Sequence, residues 1–194
     1  MNILQKLYYW TLEKSGSKNS TWFLFFVSFT ESSFFPIPPD IILIPMILAK
    51  RLKAWFYAFI CTISSVLGGI LGYAIGYFFY SNIGLIIIEF YGLNDSFNVF
   101  ENYYSQYGIW IVLGASFTPF PFKFITIASG VFNLNIFLFV IVAIIGRGLR
   151  FYIVALLLFI FGKIIKKLIE KYFNLIASLF FILLIGGIIL IKLI

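Results

Sequence analysis

Five ionisable residues stand inside long apolar runs: Glu31, Asp40, Lys123, Arg147 and Arg150. A charge at membrane depth costs roughly 2.5–3.5 kcal/mol on insertion scales, so such residues usually pair and mark a pathway. Arg147 and Arg150 are three apart and share one helix face. Guanidinium groups grip phosphate with two parallel N–H donors. Lys123 follows Pro121 at the start of a half-helix, and helix amino ends favour anions. A lysine that snorkels to the interface is the alternative reading. These three are the candidate phosphate head-group ligands.

The acids have the complementary role. Glu31 approaches the carboxyl end of its half-helix, where the helix dipole disfavours an anion. It needs a cation or a proton, and a structural pair with Arg147 or Arg150 would serve equally. Asp40 follows Pro38-Pro39 and falls in the first turn of the next half-helix. There it balances a cation or simply stabilises the amino end. Two acids against three bases leave one positive charge, which suits a single anionic ligand such as a lipid phosphate. Glu31 and Asp40 are thus candidates for charge balancing and proton coupling.

Other chemistries find no support. The chain has no histidine, which argues against phosphohistidine mechanisms and most zinc sites. No catalytic constellation, metal cluster or cofactor motif is apparent, and the protein is not expected to be an enzyme. The single Cys61 excludes an intrachain disulfide and reads as packing. The net charge of +7 does not point to nucleic acid, because the basic residues sit in short loops as orientation signals do.

The elements that must position these charges belong to a membrane protein. Of 194 residues 62% are hydrophobic and 11% charged, and the mean hydropathy is +1.07. A soluble domain of this size could not hide that much apolar surface. Residues 1–20 read as an interfacial amphipathic segment, with no cleavable signal peptide. Residues 21–172 form the main membrane domain. Within it lie a broken segment (22–49), a spanning helix (54–80), a second broken segment (108–132) and a second long helix (136–161). Residues 173–194 read as a last spanning helix. The breaks fall at Pro36, Pro38 and Pro39, then at Pro119 and Pro121. Prolines remove donors and forbid a straight helix. Such backbone is tolerated at membrane depth only where protein buries it or water lines it. Gly68, Gly72 and Gly76 recur every fourth position and form a ridge for close helix packing.

The two halves resemble each other. Ser28-Phe29-Thr30 recurs 88 positions later as Ser116-Phe117-Thr118, each followed by alternating prolines. If each broken segment enters and leaves on one side, residues 1–20, 50–53 and 163–171 share a compartment. They hold ten of the fourteen Lys and Arg, and the opposite loop, 81–107, holds none. This obeys the positive-inside rule. The expected fold is an all-α integral membrane protein with two opposed re-entrant helical hairpins, related by inverted topology, plus about three spanning helices. Repeats of this kind place a site near the midplane.

Three stretches carry a family resemblance: Glu31-Ser32-Ser33-Phe34-Phe35-Pro36-Ile37-Pro38-Pro39-Asp40, then Phe117-Thr118-Pro119-Phe120-Pro121-Phe122-Lys123 with Ala128-Ser129-Gly130, and Gly146-Arg147-Gly148-Leu149-Arg150-Phe151. With the glycine ridge they cover residues 28–151. The chain resembles the DedA family, also called VTT-domain or SNARE-associated membrane proteins, and is most similar to its YqaA branch. The resemblance implies movement of undecaprenyl phosphate or phospholipids between leaflets, in some members coupled to protons. It also implies a bacterial inner-membrane location. Family members often carry an arginine just before the Phe-Thr-Pro stretch. Here that position is Ser116, leaving Lys123, Arg147 and Arg150 as the cations available to compensate.

The expected function is that of a lipid flippase or scramblase, with its amino terminus in the cytoplasm. Its partners would be anionic or phosphate-bearing lipids and protons, with no nucleic acid, and a homo-oligomer is compatible with the composition. The alternatives are a proton-coupled transporter of a small solute and a non-transporting membrane scaffold. A lipid-phosphate hydrolase is weaker, for want of a nucleophile and base.

Overall fold

A computed structural model describes residues 19–35, 37–84, 94–118 and 120–193, with side chains of 81, 83, 94–96, 163 and 166–193 outside that description. The amino-terminal segment 1–18 and the break prolines Pro36 and Pro119 lie outside the described residues. Among the described residues the chain is all-helical. Helix α1 is Ser20–Ser33 and α2 is Asp40–Ala49. A 3-10 turn, Arg51–Lys53, leads into α3, Ala54–Phe79. A π-turn at Tyr80–Gly84 follows, then α4 (Asn94–Phe117), α5 (Phe122–Val131) and α6 (Ile136–Leu193).

Each break has a local cause. At the end of α1 the amides of Phe34 and Phe35 both reach back to the Thr30 carbonyl, at 2.9 and 2.8 Å, and the second, an i→i+5 bond, widens the last turn as the helix ends. Pro38 and Pro39 follow, and Pro39 has φ −65° as the cap of α2. Its fixed angle is preorganised for a helix start. Asp40 then occupies the first turn of α2. Pro121 caps α5 with a similar φ of −62° but an extended ψ of 107°, where Pro39 is already helical with ψ −20°. After α5, Asn133 takes φ 51°, a left-handed conformation that asparagine tolerates. Asn135 Oδ1 then accepts from the amides of Phe137 and Leu138 at 3.0 and 3.2 Å. This is an N-cap on α6.

The two halves share dimensions. Both α2 and α5 are ten residues long. A four-residue connection follows each, 50–53 and 132–135, before a long helix begins. Two stretches, Arg51–Phe79 and Ile136–Gly162, are long and apolar enough to cross a membrane by length and composition.

Two boundaries differ from expectation. A short helix over Ser96–Tyr107, expected to be separate from the segment that opens at Gly108, is instead continuous with it in one helix, Asn94–Phe117. No Pro or Gly interrupts 94–107, and Gly108 stays helical under close packing. A Cβ there would lie 3.0 Å from Tyr104 and 3.1 Å from Leu134. In addition, α6 runs through the basic stretch 163–171 to Leu193 without the expected loop. Lysine is a good helix former, and neither Gly nor Pro occurs between Gly162 and Gly186.

Helix α3 is central and packs on α1, α5 and α6. Its glycines take the closest approaches. A Cβ on Gly68 would collide with the Phe29 carbonyl oxygen, and one on Gly76 with that of Ile127. A Cβ on Gly72 would meet Thr126 Oγ1 and lie 3.2 Å from the Ser32 carbonyl. One ridge therefore seats α1 and α5 together. Gly130 of α5 is pressed in turn against the Tyr73 carbonyl.

Two apolar clusters result. One joins Leu24, Leu43, Met46, Ala58, Cys61 and Phe151, and the other joins Val66, Val112, Phe122, Phe139 and Ala143. Buried polar residues lie between them on three of the helices: Ser28, Glu31, Ser32 and Ser33 on α1, Thr62, Ser64 and Ser65 on α3, and Arg147 on α6.

Candidate functional site

That polar layer is the site. Arg147 is fully buried, and Glu31 is 7% exposed. Arg147 Nη2 donates to Glu31 Oε2 at 2.6 Å and lies 3.4 Å from Ser32 Oγ. Arg147 Nε donates to Ser65 Oγ at 2.5 Å. Ser32 and Ser65 hydroxyls are 2.7 Å apart, and Ser32 Oγ is 3.1 Å from Glu31 Oε2. The charged ends fix the direction of this chain. Ser65 accepts from the cation and donates to Ser32, which donates to the carboxylate. A serine hydroxyl has one proton to give, so the ring closes in one sense only.

Two aromatic faces complete the enclosure. The Arg147 guanidinium carbon lies 4.8 Å from the Phe151 ring centre and 5.0 Å from that of Phe122. Cation–π attraction in a desolvated setting reaches about 2 kcal/mol. Among the described residues, Nη1 of Arg147 is buried without a hydrogen-bond partner.

The second pair is built differently. Arg150 Nη2 donates to Asp40 Oδ2, and Nη1 donates to the Thr118 carbonyl at 3.2 Å. Its side chain keeps 15% of its surface exposed and that of Asp40 keeps 20%. One guanidinium thus ties the first residue of α2 to the backbone of the second break. The Phe151 ring is shared with the deeper pair, its centre 5.7 Å from the Arg150 guanidinium carbon.

The two breaks also touch directly. Thr126 Oγ1 lies 3.0 Å from the Ser32 carbonyl and 2.8 Å from that of Lys123, and its single proton is shared between them. Four of the five expected charges therefore meet here. Lys123 does not join them. Its Nζ stands 5.4 Å from the Phe124 ring centre, and no ion pair among the described residues includes it. Ser116 is buried, bonds the Val112 carbonyl at 2.5 Å and packs against Gly146. An arginine could not be seated there without displacing α6.

Sequence reasoning missed Ser32, Ser65, Phe122, Thr126 and Phe151 as site residues. Phe151 had a signal, since it follows Arg147 at the i,i+4 spacing that brings side chains together on a helix. The adjacent Ser64-Ser65 pair inside an apolar run was a weaker one.

No family model matches the chain, and no solved structure matches it. Two proteins do. An uncharacterized protein of Haemophilus influenzae is 40% identical over 155 residues, covering 80% of each chain. Another, of Histophilus somni, is 33% identical over 154 residues, covering 79% of this chain and 80% of the relative.

Proposed function

The chain belongs to one family with the Haemophilus influenzae and Histophilus somni proteins, and from that premise and the geometry above we propose that it is a membrane lipid transporter of DedA type. In this reading it is a multi-pass inner-membrane protein with a cytoplasmic amino terminus. It moves phosphate-bearing lipids, such as phospholipids or undecaprenyl phosphate, between leaflets, with protons competing for the acids.

One observation carries the reading: Arg147, ion-paired to Glu31, meets Ser65 where the middles of the two apolar spans touch. Ser65 is the central residue of Arg51–Phe79, and Arg147 is two residues from the centre of Ile136–Gly162. Ionic groups at that depth are expensive and mark pathways for polar cargo. Two helix breaks converge on the same level. A break exposes backbone polar groups, which hydrocarbon cannot satisfy and a polar path can. We read α1–α2 and α4–α5 as opposed re-entrant hairpins. Their equal half-helices and equal connections support an inverted repeat.

The charges suggest a division of labour. Glu31 and Asp40 neutralise Arg147 and Arg150, and Lys123 supplies the remaining positive charge. A lipid phosphate entering beside the breaks would meet Lys123 and the partly exposed Arg150, while its tails stay among outward-facing aromatics such as Phe34 and Phe117, 59% and 50% exposed.

The test is reconstitution into proteoliposomes with fluorescent phospholipids and undecaprenyl phosphate in parallel, with and without a pH gradient. Leaflet exchange by the wild-type protein, lost in Arg150→Gln and reduced in Lys123→Ala, is expected. Folded wild-type protein that moves a soluble substrate but no lipid would overturn the assignment.

A further inference from the structure

The two ion pairs differ in a way that assigns them different roles. Arg147 has no exposed surface, two rings against its faces and bonds to Glu31 and Ser65. A ligand could reach it only by dismantling the polar layer. Arg150 is the accessible cation of the pair. It gives one arm to the Asp40 carboxylate and the other to the Thr118 carbonyl. A guanidinium fork accepts two oxygens of one phosphate or carboxylate side by side. Here two protein oxygens from two different breaks fill that fork.

We infer that Asp40 is a built-in competitor, holding the oxyanion seat of Arg150 until an anionic lipid head group displaces it. The ligand class is an anionic amphiphile. Its oxyanion takes the fork, and its chain lies along the exposed Phe34, Phe35 and Phe117 that flank the breaks in sequence. Displacement frees the amino end of α2 from the backbone of the second break. In place of a fixed positive site, the chain presents one that opens in exchange for its own carboxylate. Occupancy by Asp40 lowers the apparent affinity by the fraction of molecules in which the fork is free. This inference rests on the lipid-transport reading for the nature of the ligand, and its test does not use transport.

The full chain is purified in detergent and titrated with phosphatidic acid, with phosphatidylcholine and inorganic phosphate as parallel arms. Asp40→Asn keeps the shape and removes the competing charge. It is expected to bind phosphatidic acid about tenfold more tightly than wild type, and Arg150→Gln is expected to lose the preference over phosphatidylcholine. Unchanged or weaker binding by Asp40→Asn overturns the inference. So does inorganic phosphate that binds as well as phosphatidic acid, since the occupant would then not be a lipid. A second measurement needs no variant. Phosphatidic acid should speed amide exchange in residues 40–43 of the wild-type protein, and undiminished protection at saturating lipid would also overturn the inference. Tighter binding without leaflet exchange in liposomes would sink the transporter reading alone.

Discussion

Ser65 and Arg147 meet at 2.5 Å, and through them the middles of the two apolar spans are joined. The bond sits at the boundary between two apolar clusters and ties them together. Its strength derives from burial. A guanidinium removed from water must recover its lost hydration from fixed partners.

Breaking the buried pair on one side should be more damaging than removing it. Glu31→Gln or Arg147→Gln alone leaves an uncompensated charge or an unmatched polar group, and is expected to cost about 3–5 kcal/mol. The double variant should recover part of that loss, because contacting residues are not additive. Thermal unfolding of the four proteins in one detergent checks this, and strict additivity would contradict it.

Neighbouring serines on α3 should behave differently. Ser65→Ala removes the acceptor of Arg147 Nε and is expected to cost about 1–3 kcal/mol. Among the described residues Ser64 bonds only to carbonyls of its own helix, Ile60 at 2.6 Å and Cys61 at 3.2 Å. Ser64→Ala should therefore change stability by about 0.5 kcal/mol or less. Equal effects at the two positions would show that the interhelical ring does not hold the helices.

The glycine ridge gives a graded test. Gly68→Ala and Gly76→Ala push a methyl into backbone carbonyls that have no freedom to move, and overpacking of this kind costs about 1–3 kcal/mol. Among the described residues, nothing lies within 4 Å of a Cβ added at Gly114. Gly114→Ala should stabilise by about 0.5–1 kcal/mol through helix propensity. Melting temperatures that move the same way in all three would refute the packing.

Lys123 should separate function from stability. It holds no ion pair among the described residues, so Lys123→Ala should leave the melting temperature within the range of ordinary surface changes, about ±0.5 kcal/mol. In the same protein the exchange of anionic lipid should fall more than that of zwitterionic lipid. A variant with wild-type lipid selectivity would remove Lys123 from the proposed path.

Much of the site was legible because charge is rare in this chain. Glu31 needed a partner at its depth, and an arginine supplied it. Asp40 could be placed at a helix start from the prolines before it. The hydroxyls were not legible. Serine and threonine occur throughout the apolar runs, and which of them meet across helices is set by the rotation of α1 against α3. The continuous α6 was hidden for another reason: a run of lysines suggested a loop, whereas the backbone preference of the same residues favours a helix. Pro45 lies inside α2, where removal of one backbone donor would ordinarily end a helix. It is buried among neighbours of α2 that belong to the first apolar cluster, and tertiary packing overrides the local preference.

Phe151 has a consequence of its own. One ring is the common neighbour of two like charges, 4.8 Å from the Arg147 guanidinium carbon and 5.7 Å from that of Arg150. A cation–π contact therefore stays available to either arginine when the other shifts. The molecule thus carries a buried ion pair and a more accessible one less than a full helical turn apart, with a single aromatic side chain as their shared support.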